Sequence, residues 1–304
     1  MTEFNSLHPD KKQTHMERIT LVTAATKGYE LIDSGMEEKL ERFGEILLVR
    51  PDPQALWPKT LPQTRWEAAH AIYSREGREG QWKIQKDIPD AWPIEIGGLM
   101  MQIKPTSFKH TGVFPEQASN WEWIRKILSS QSVPQVLNLF GYTGGATIAA
   151  AQAGASVTHV DASKSAVAWA KENAALNGVE NKPIRWIIED AVTFVEREIK
   201  RGNKYDLILM DPPAFGHGPK DELWKFEEHF LALMKLCGEL LTEKPLGMLI
   251  NGYAAGYSAS AFAYNLEPFA QKFGGEVEYG ELAIEESSGK RLLPCGIFAR
   301  WSAV

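Results

Sequence analysis

The chain has 304 residues, 44% of them hydrophobic and 24% charged, values that set aside disordered, collagenous and disulfide-scaffold classes and allow about two domains at ~150 residues each. Its two cysteines, Cys237 and Cys295, are too few for a framework of bridges or a structural zinc site, so a reducing, cytoplasmic setting is expected, with no metal. The net charge of −6 argues against a general cationic coat for nucleic acid and leaves room for a local basic patch.

The opening MTEFNSLHPDKKQTHMER is polar and lacks the apolar run of a secretory signal, and no later run approaches the ~18 residues of a membrane span. Up to about residue 115 the chain reads as short strands between turns: ITLVTA, YELIDSG, GEILLVRP, WEAAHAIYS, QWKIQKD and IEIGGLMMQIKP. The turn signals are Lys27-Gly28, Ser34-Gly35, Pro51-Asp52-Pro53, Arg78-Glu79-Gly80 and Gly97-Gly98. Residues 1–115 are therefore expected to form a small β-rich N-terminal domain. Its aromatics Trp57, Trp66, Tyr73, Trp82 and Trp92 are mixed with Arg65, Arg75, Arg78 and Lys83. They offer either a stacking and phosphate surface or, more commonly in a small β unit, a core.

From about residue 119 helix patterns alternate with four- or five-residue apolar strands, the form of a mostly parallel sheet wrapped by helices on both faces. Seven strands are predicted, at 136–139, 157–160, 184–188, 207–210, 246–250, 277–284 and 295–301. The helices between them fall at 146–153, 163–177, 191–200, 221–241 and 258–273, three of them closed by Gly178, Gly202 and Gly274. The last two strands have no helix between them, so at least one is expected to run antiparallel at the sheet edge. Residues 116–304 form this second, α/β domain.

The first of these strands runs into Phe140-Gly141-Tyr142-Thr143-Gly144-Gly145, where glycines admit a ligand to the backbone and a helix start favours an anion. The spacing Gly-x-x-Gly-Gly is not the dinucleotide Gly-x-Gly-x-x-Gly, which disfavours a nicotinamide-dependent dehydrogenase. Asp161 closes the next strand twenty residues on, where a carboxylate can accept both hydroxyls of a ribose; Ser163 beside it also reads as an ordinary helix cap. Asp190 ends the third strand and can take the exocyclic amine of adenine or simply cap the helix at Ala191. Asp211-Pro212-Pro213-Ala214-Phe215 follows the fourth. Consecutive prolines hold that loop extended, and Asp211, the Pro212 carbonyl and the Phe215 ring are the groups that would hold a flat, amino-bearing base. Gly141, Asp161, Asp190 and Asp211 thus all stand at carboxyl ends of successive strands, the edge where open α/β sheets bind ligands.

These residues resemble the class I S-adenosylmethionine-dependent methyltransferases, specifically the group related to large-subunit ribosomal RNA methyltransferases. The resemblance covers about residues 106–301 and rests on NLFGYTGG, VDAS, EDA, the DPPAF loop and the upstream FKHTGVFPEQASNW. It implies a seven-stranded Rossmann-like methyltransferase sheet, the cofactor S-adenosyl-L-methionine, and RNA as the substrate. It further implies that Gly141, Tyr142 and Thr143 lie along the methionine moiety, that Asp161 with Ser163 meets the ribose, and that Asp190 and Ala191 meet the adenine. Phe114 in the upstream segment joins the cofactor set, and Asp211, Pro212 and Phe215 are the catalytic loop. Lys109 and His110 face either cofactor or substrate, or solvent.

The 5-methylcytosine branch of that family carries a cysteine soon after its fifth strand, because carbon-5 must first be attacked by a thiolate. The corresponding stretch here, INGYAAGY, has no thiol. Cys237 reads as core within FLALMKLCGELL and Cys295 starts the last strand, so non-covalent in-line transfer to a nitrogen is the expected chemistry; a 5-methylcytosine product and a small-molecule or protein acceptor are the alternatives.

Overall fold

The computed structural model describes residues 14–76, 79–107, 109–253 and 256–303. Past its first strand, β1 (His15–Thr23), the chain folds β2 (Tyr29–Gly35), β3 (Glu38–Phe43) and β4 (Ile46–Pro51). A single helical turn, α1 (Gln63–Glu67), then precedes β5 (Ala71–Glu76) and β6 (Glu79–Ile84). β2 to β6 form a five-stranded sheet in chain order, and β7 (Trp92–Ile96) pairs with β8 (Leu99–Ile103) about Gly97-Gly98. Both glycines have positive φ, 56° and 74°, the condition for a two-residue hairpin turn. β3 has no counterpart in the sequence prediction. Its sequence EKLERF is rich in charge, yet Glu41 is fully buried against Arg50.

The aromatics of this unit are core and not an exposed stacking surface. Trp66, Tyr73 and Trp92 are buried, and Trp57 and Trp82 pack against the core while their indole N–H groups donate to the carbonyls of Ser34 and Thr106. Arg78 and the side chain of Arg75 lie outside the described residues.

A 3-10 turn at Pro115–Gln117 leads into α2 (Ala118–Leu128), after which strands and helices alternate. They are β9 (Gln135–Leu139), α3 (Gly145–Gln152), β10 (Ser156–Asp161), α4 (Lys164–Leu176), β11 (Ile184–Ile188), α5 (Ala191–Arg201) and β12 (Leu207–Met210). A small hairpin of β13 (Phe215–His217) and β14 (Leu223–Lys225) follows, then α6 (Phe226–Leu240), β15 (Gly247–Gly252), α7 (Ala259–Phe273), β16 (Glu276–Glu285) and β17 (Leu292–Ser302). The helix expected from residue 221 starts at Phe226 because 223–225 pair with 215–217.

The main sheet has the order β1-β16-β17-β15-β12-β9-β10-β11. The mostly parallel α/β sheet and the β-rich N-terminal region are as the sequence implied, with two differences. The sheet has eight strands, because β1, from the part of the chain read as a separate unit, pairs parallel to β16 along its whole length. The antiparallel strand is β17, inserted between β15 and β16 and not at the edge. Side chains alternate between two cores: Val136, Leu209 and Leu249 pack on one face with α2, α3 and the N-terminal strands, and Leu137, Ile208, Met248 and Ile250 on the other with α6 and α7. Parallel strands covered on both faces read as unbroken apolar runs, as QVLNL and LILM do. From β9 the chain winds outward to β10 and β11, then returns to place β12 on the other side of β9. That reversal opens a crevice between the carboxyl ends of β9 and β12. Among the described residues, no helix is long and apolar enough to cross a membrane.

Candidate active site

At the end of β9 the backbone is forced into an uncommon shape. Phe140 and Tyr142, on either side of Gly141, have φ of 55° and 47°, left-handed values that cost non-glycine residues on the order of 1–3 kcal/mol each and collect at functional sites. Gly141 lies against the imidazole of His159: a Cβ there would stand 2.4 Å from the ring. The ring is fixed from behind, where Asn138 Nδ2 donates to Thr147 Oγ1 at 2.9 Å and that oxygen meets His159 Nδ1 at 2.9 Å. Burial pushes the imidazole down to about 3, so it is neutral. Gly144 then caps α3.

Asp161, at the end of β10, is bound to this loop. Its Oδ2 accepts the Tyr142 N–H and its Oδ1 the Ser163 N–H, both at 2.8 Å. Burial raises its carboxyl and these two bonds oppose the rise. Ser163 caps α4, its Oγ accepting the Ala166 N–H at 3.2 Å, and Asp190 caps α5, its Oδ1 accepting the Thr193 N–H at 2.9 Å. The cap readings are therefore realised, and both residues also line a cavity of about 700 Å³ together with Asp161 and Ala191. Thr143 is buried. Its hydroxyl donates to the Gly112 carbonyl at 2.6 Å, tying the glycine loop to the upstream segment.

The same cavity takes Phe114, Tyr142, Asp211 and Pro212 into its wall. Phe114 is held among aromatic rings, its centroid 5.7 Å from that of Tyr142 and 5.1 Å from that of Tyr253. Asp211 is partly buried, and burial first, with the Glu116 carboxylate second, pushes its carboxyl up to about 7. The Pro213 carbonyl accepts the Trp224 indole N–H at 2.7 Å and the Ala214 carbonyl accepts the Phe226 N–H at 3.0 Å. Among the described residues no donor takes the Pro212 carbonyl, which leaves it and Asp211 as the acceptors of this loop. Phe215 behaves differently from its neighbours. It starts β13, is 57% exposed, lies edge-on to His217 and is outside the cavity wall. The aromatic wall is built instead by Phe140 and Trp224, 5.0 Å apart.

A narrower cleft continues beneath the glycine loop, lined by Gly141 to Ala146 and by the amides of Gln117, Asn120, Asn138 and Asn251. Amides and helix-start N–H groups at one end, carboxylates at the other, and no lysine or arginine along the glycine loop suit an amino acid joined to a nucleoside without phosphate. The cavity volume is also within the ~300–1,000 Å³ of small-molecule sites. Nearly all of the residues that the sequence put forward are brought to this one place. Those it missed are Lys39, Arg50 and Asp52 of the N-terminal strands, and Glu116, Tyr253 and Trp224. The Pro51-Asp52-Pro53 turn, which carries Asp52, was the legible signal among the N-terminal residues. Lys109 and His110 do line the cavity; burial, then Arg50, Lys109 and Lys39, pushes the His110 imidazole down to about 4. Cys237 is core. Cys295 lines the cavity, but its Sγ donates to the Leu293 carbonyl at 3.4 Å, and burial with Glu116 pushes it well above the usual thiol range. Among the described residues no group of three potential metal ligands occurs.

Residues 63–257 match the family model of S-adenosylmethionine-dependent methyltransferases. A solved S-adenosylmethionine-dependent methyltransferase from Agrobacterium tumefaciens is 38% identical, with a TM-score of 0.91 over 100% of this chain and 99% of its own. Another solved chain, complexed with SAH, shares the fold at TM-score 0.67 and 18% identity, over 91% of this chain and 76% of its own. Among curated proteins, the ribosomal RNA large subunit methyltransferase K/L of Pseudoalteromonas atlantica is 28% identical over 69% of this chain. The matched part is 32% of that protein, so the chain spans about a third of its relative's length.

Proposed function

The chain belongs to the S-adenosylmethionine-dependent methyltransferases, and from that premise we propose that it methylates a nitrogen on a base of RNA, ribosomal RNA first among candidates, by direct in-line transfer in the cytoplasm. The observation that carries this reading is the pairing of Asp211 with the unoccupied acceptor capacity of the Pro212 carbonyl, in the cavity that Asp161 and Asp190 also line.

In this reading Gly141, Tyr142, Thr143 and Phe114 border the methionine end. Asp161 keeps a second lone pair on each oxygen for the ribose hydroxyls, with Ser163 beside it. The second oxygen of Asp190 and the Ala191 backbone take the adenine edge. S-adenosylmethionine, when bound, supplies a methyl group already activated on a sulfonium, so the protein's task is alignment and exclusion of water. Asp211 and the Pro212 carbonyl accept hydrogen bonds from an amino-bearing base and so fix its plane. With the cofactor held, the nitrogen would give its lone pair to the methyl carbon as the carbon–sulfur bond breaks and its electron pair stays on sulfur, and the nitrogen must shed a proton. Asp211, with its carboxyl near 7, can receive that proton at neutral pH. Phe140 and Trp224 wall the base, and Phe215 stands outside that wall, at the rim. Residues 116–304 with β1 form the transfer unit, and residues 1–115 otherwise supply the acceptor side.

Ribosomal RNA enters through the name of the curated relatives, which the chain matches over less than a third of some of them. A covalent route to 5-methylcytosine is opposed by the protonated thiol of Cys295. The test is transfer of labelled methyl from S-adenosylmethionine to total RNA, total protein and a small-molecule extract, with mass spectrometry of nucleosides from cells lacking and regaining the protein. An N-methylated nucleoside that disappears and returns is expected. Label in protein, or loss of 5-methylcytosine alone, would refute the assignment.

A further inference from the structure

Three cations from the N-terminal side, Lys39 on β3, Arg50 on β4 and Lys109 on the segment before Phe114, line the cavity that also holds Asp211. Two of them are locked in place. Arg50 donates through Nε and Nη2 to both oxygens of Glu41, at 2.7 and 2.8 Å, and Glu41 Oε1 also accepts the Tyr29 hydroxyl at 2.8 Å. Lys39 Nζ stands 3.1 Å from Asp52 and 3.8 Å from Glu41. Arg50 Nη1 donates to the Lys109 carbonyl at 3.0 Å, so the buried pair also positions the backbone that carries Lys109. The Lys109 ammonium itself donates only a long bond, 3.4 Å, to the Pro51 carbonyl, and among the described residues no carboxylate lies within ion-pair distance of it.

A half-buried ammonium next to two further cations is costly unless an anion shares its surroundings. Glu41 and Asp52 pair with Arg50 and Lys39, which leaves Lys109 as the cation of the three without a carboxylate partner among the described residues. Across the cavity the carboxyls of Asp211 and Glu116 are both raised, chiefly by burial, which lessens the negative charge they set against the cluster.

We propose that Lys109, backed by Lys39 and Arg50, forms a subsite for a phosphate carried by the methyl acceptor, so that the acceptor is recognised as a nucleotide and not as a free base or nucleoside. This deepens the acceptor reading of the cavity and rests on it. The phosphate belongs either to an RNA backbone or to a free nucleotide, and the chemistry at Lys109 is the same in both cases. An RNA phosphate that releases its counterions to one lysine contributes about 0.7–0.9 to the slope of log affinity against log salt, a readout that a merely structural lysine does not move.

The experiment uses the full chain with SAH present and two probes, a fluorescent 20-nucleotide RNA and the four nucleoside 5′-monophosphates beside their nucleosides. Lys109→Ala is expected to weaken RNA binding on the order of tenfold and to lower the salt slope by about one phosphate contact, and Lys109→Arg to restore the slope. If instead a monophosphate outbinds its nucleoside by a factor that Lys109→Ala abolishes while RNA is indifferent, the phosphate is that of a free nucleotide. If both probes bind Lys109→Ala as they bind the wild type, the subsite does not exist. Asp211→Asn separates the two readings: it should keep the wild-type salt slope and the wild-type preference for monophosphate over nucleoside while it fails to methylate, so a fully active Asp211→Asn overturns the acceptor chemistry and leaves the phosphate result standing.

Discussion

Replacing Asp211 by asparagine should trade activity for stability, in a pH-dependent way that follows from where the carboxyl sits. Its acidity is shifted from the ordinary 3.8 to about 7, so the native state holds a proton that the unfolded chain has already released. Stability therefore falls as pH rises from about 4 through about 7, and the full penalty is present only above that range. Three units at about 1.4 kcal/mol each set a ceiling of roughly 4 kcal/mol, and the opening of Asp211 to cavity water reduces it to about 1–2 kcal/mol by screening. The amide keeps the shape and carries no charge. At pH 8 the variant should melt about 2–4 °C above the wild type, and at pH 5 the gain should shrink toward zero. Methyl transfer should drop by at least about a hundredfold, because an amide cannot take the proton, while titration with SAH gives unchanged affinity. Calorimetry at the two pH values and a labelled-methyl assay read these outcomes. A variant that is less stable at pH 8, or equally stabilised at both pH values, refutes the argument from burial.

Asp161→Ala removes the acceptor of the Tyr142 and Ser163 N–H groups and should abolish measurable SAH binding, with a loss of about 1–3 kcal/mol in denaturant titration; binding that survives would detach Asp161 from the cofactor. Gly141→Ala drives a methyl toward the His159 ring and should cost about 1–3 kcal/mol as overpacking together with cofactor affinity, read by thermal shift with and without SAH. Cys295→Ser should retain transfer within about twofold, since no covalent step uses a thiolate; complete inactivation with the fold intact would return the 5-methylcytosine route.

The sheet-edge wall of the cavity was legible because its residues follow a local rule. Gly141, Asp161, Asp190 and Asp211 each come directly after a short apolar strand, and parallel winding puts all such positions on one edge. The wall from the N-terminal strands was not. Lys39, Arg50 and Asp52 lie far from residue 211 in sequence, and only the packing of the N-terminal strands on one face of the large sheet brings them across from it. A charged strand such as EKLERF gives no apolar alternation, so β3 was invisible, although its buried Glu41 is what fixes Arg50. β1 was read as part of a separate unit because a strand's sequence does not say which sheet it joins. Phe215 was placed against the base by its position in the DPPAF run. Pairing of 215–217 with 223–225 turns it outward, a non-local effect that the run itself does not encode.

The two walls meet at Asp211 and Glu116. Glu116 is buried and its carboxyl is raised chiefly by that burial, with Lys39 as the largest opposing influence. Asp211 is raised by burial and by Glu116. Two carboxyls that cannot both ionise cheaply titrate as a pair, so the charge state of Asp211 is coupled through Glu116 to Lys39 and Arg50. A phosphate at the proposed Lys109 subsite would lie beside Lys39 and Arg50, the cations that pull the Glu116 carboxyl down, and by answering them would favour the protonated forms of Glu116 and, through it, of Asp211. Occupation of the proposed phosphate position would therefore lower the ionised fraction of Asp211 at a given pH. The alignment gained by holding the nucleotide must outweigh that loss, and it can: positioning of a reactant is worth about 7–11 kcal/mol at best, against roughly 1.4 kcal/mol for each unit by which the carboxyl shifts.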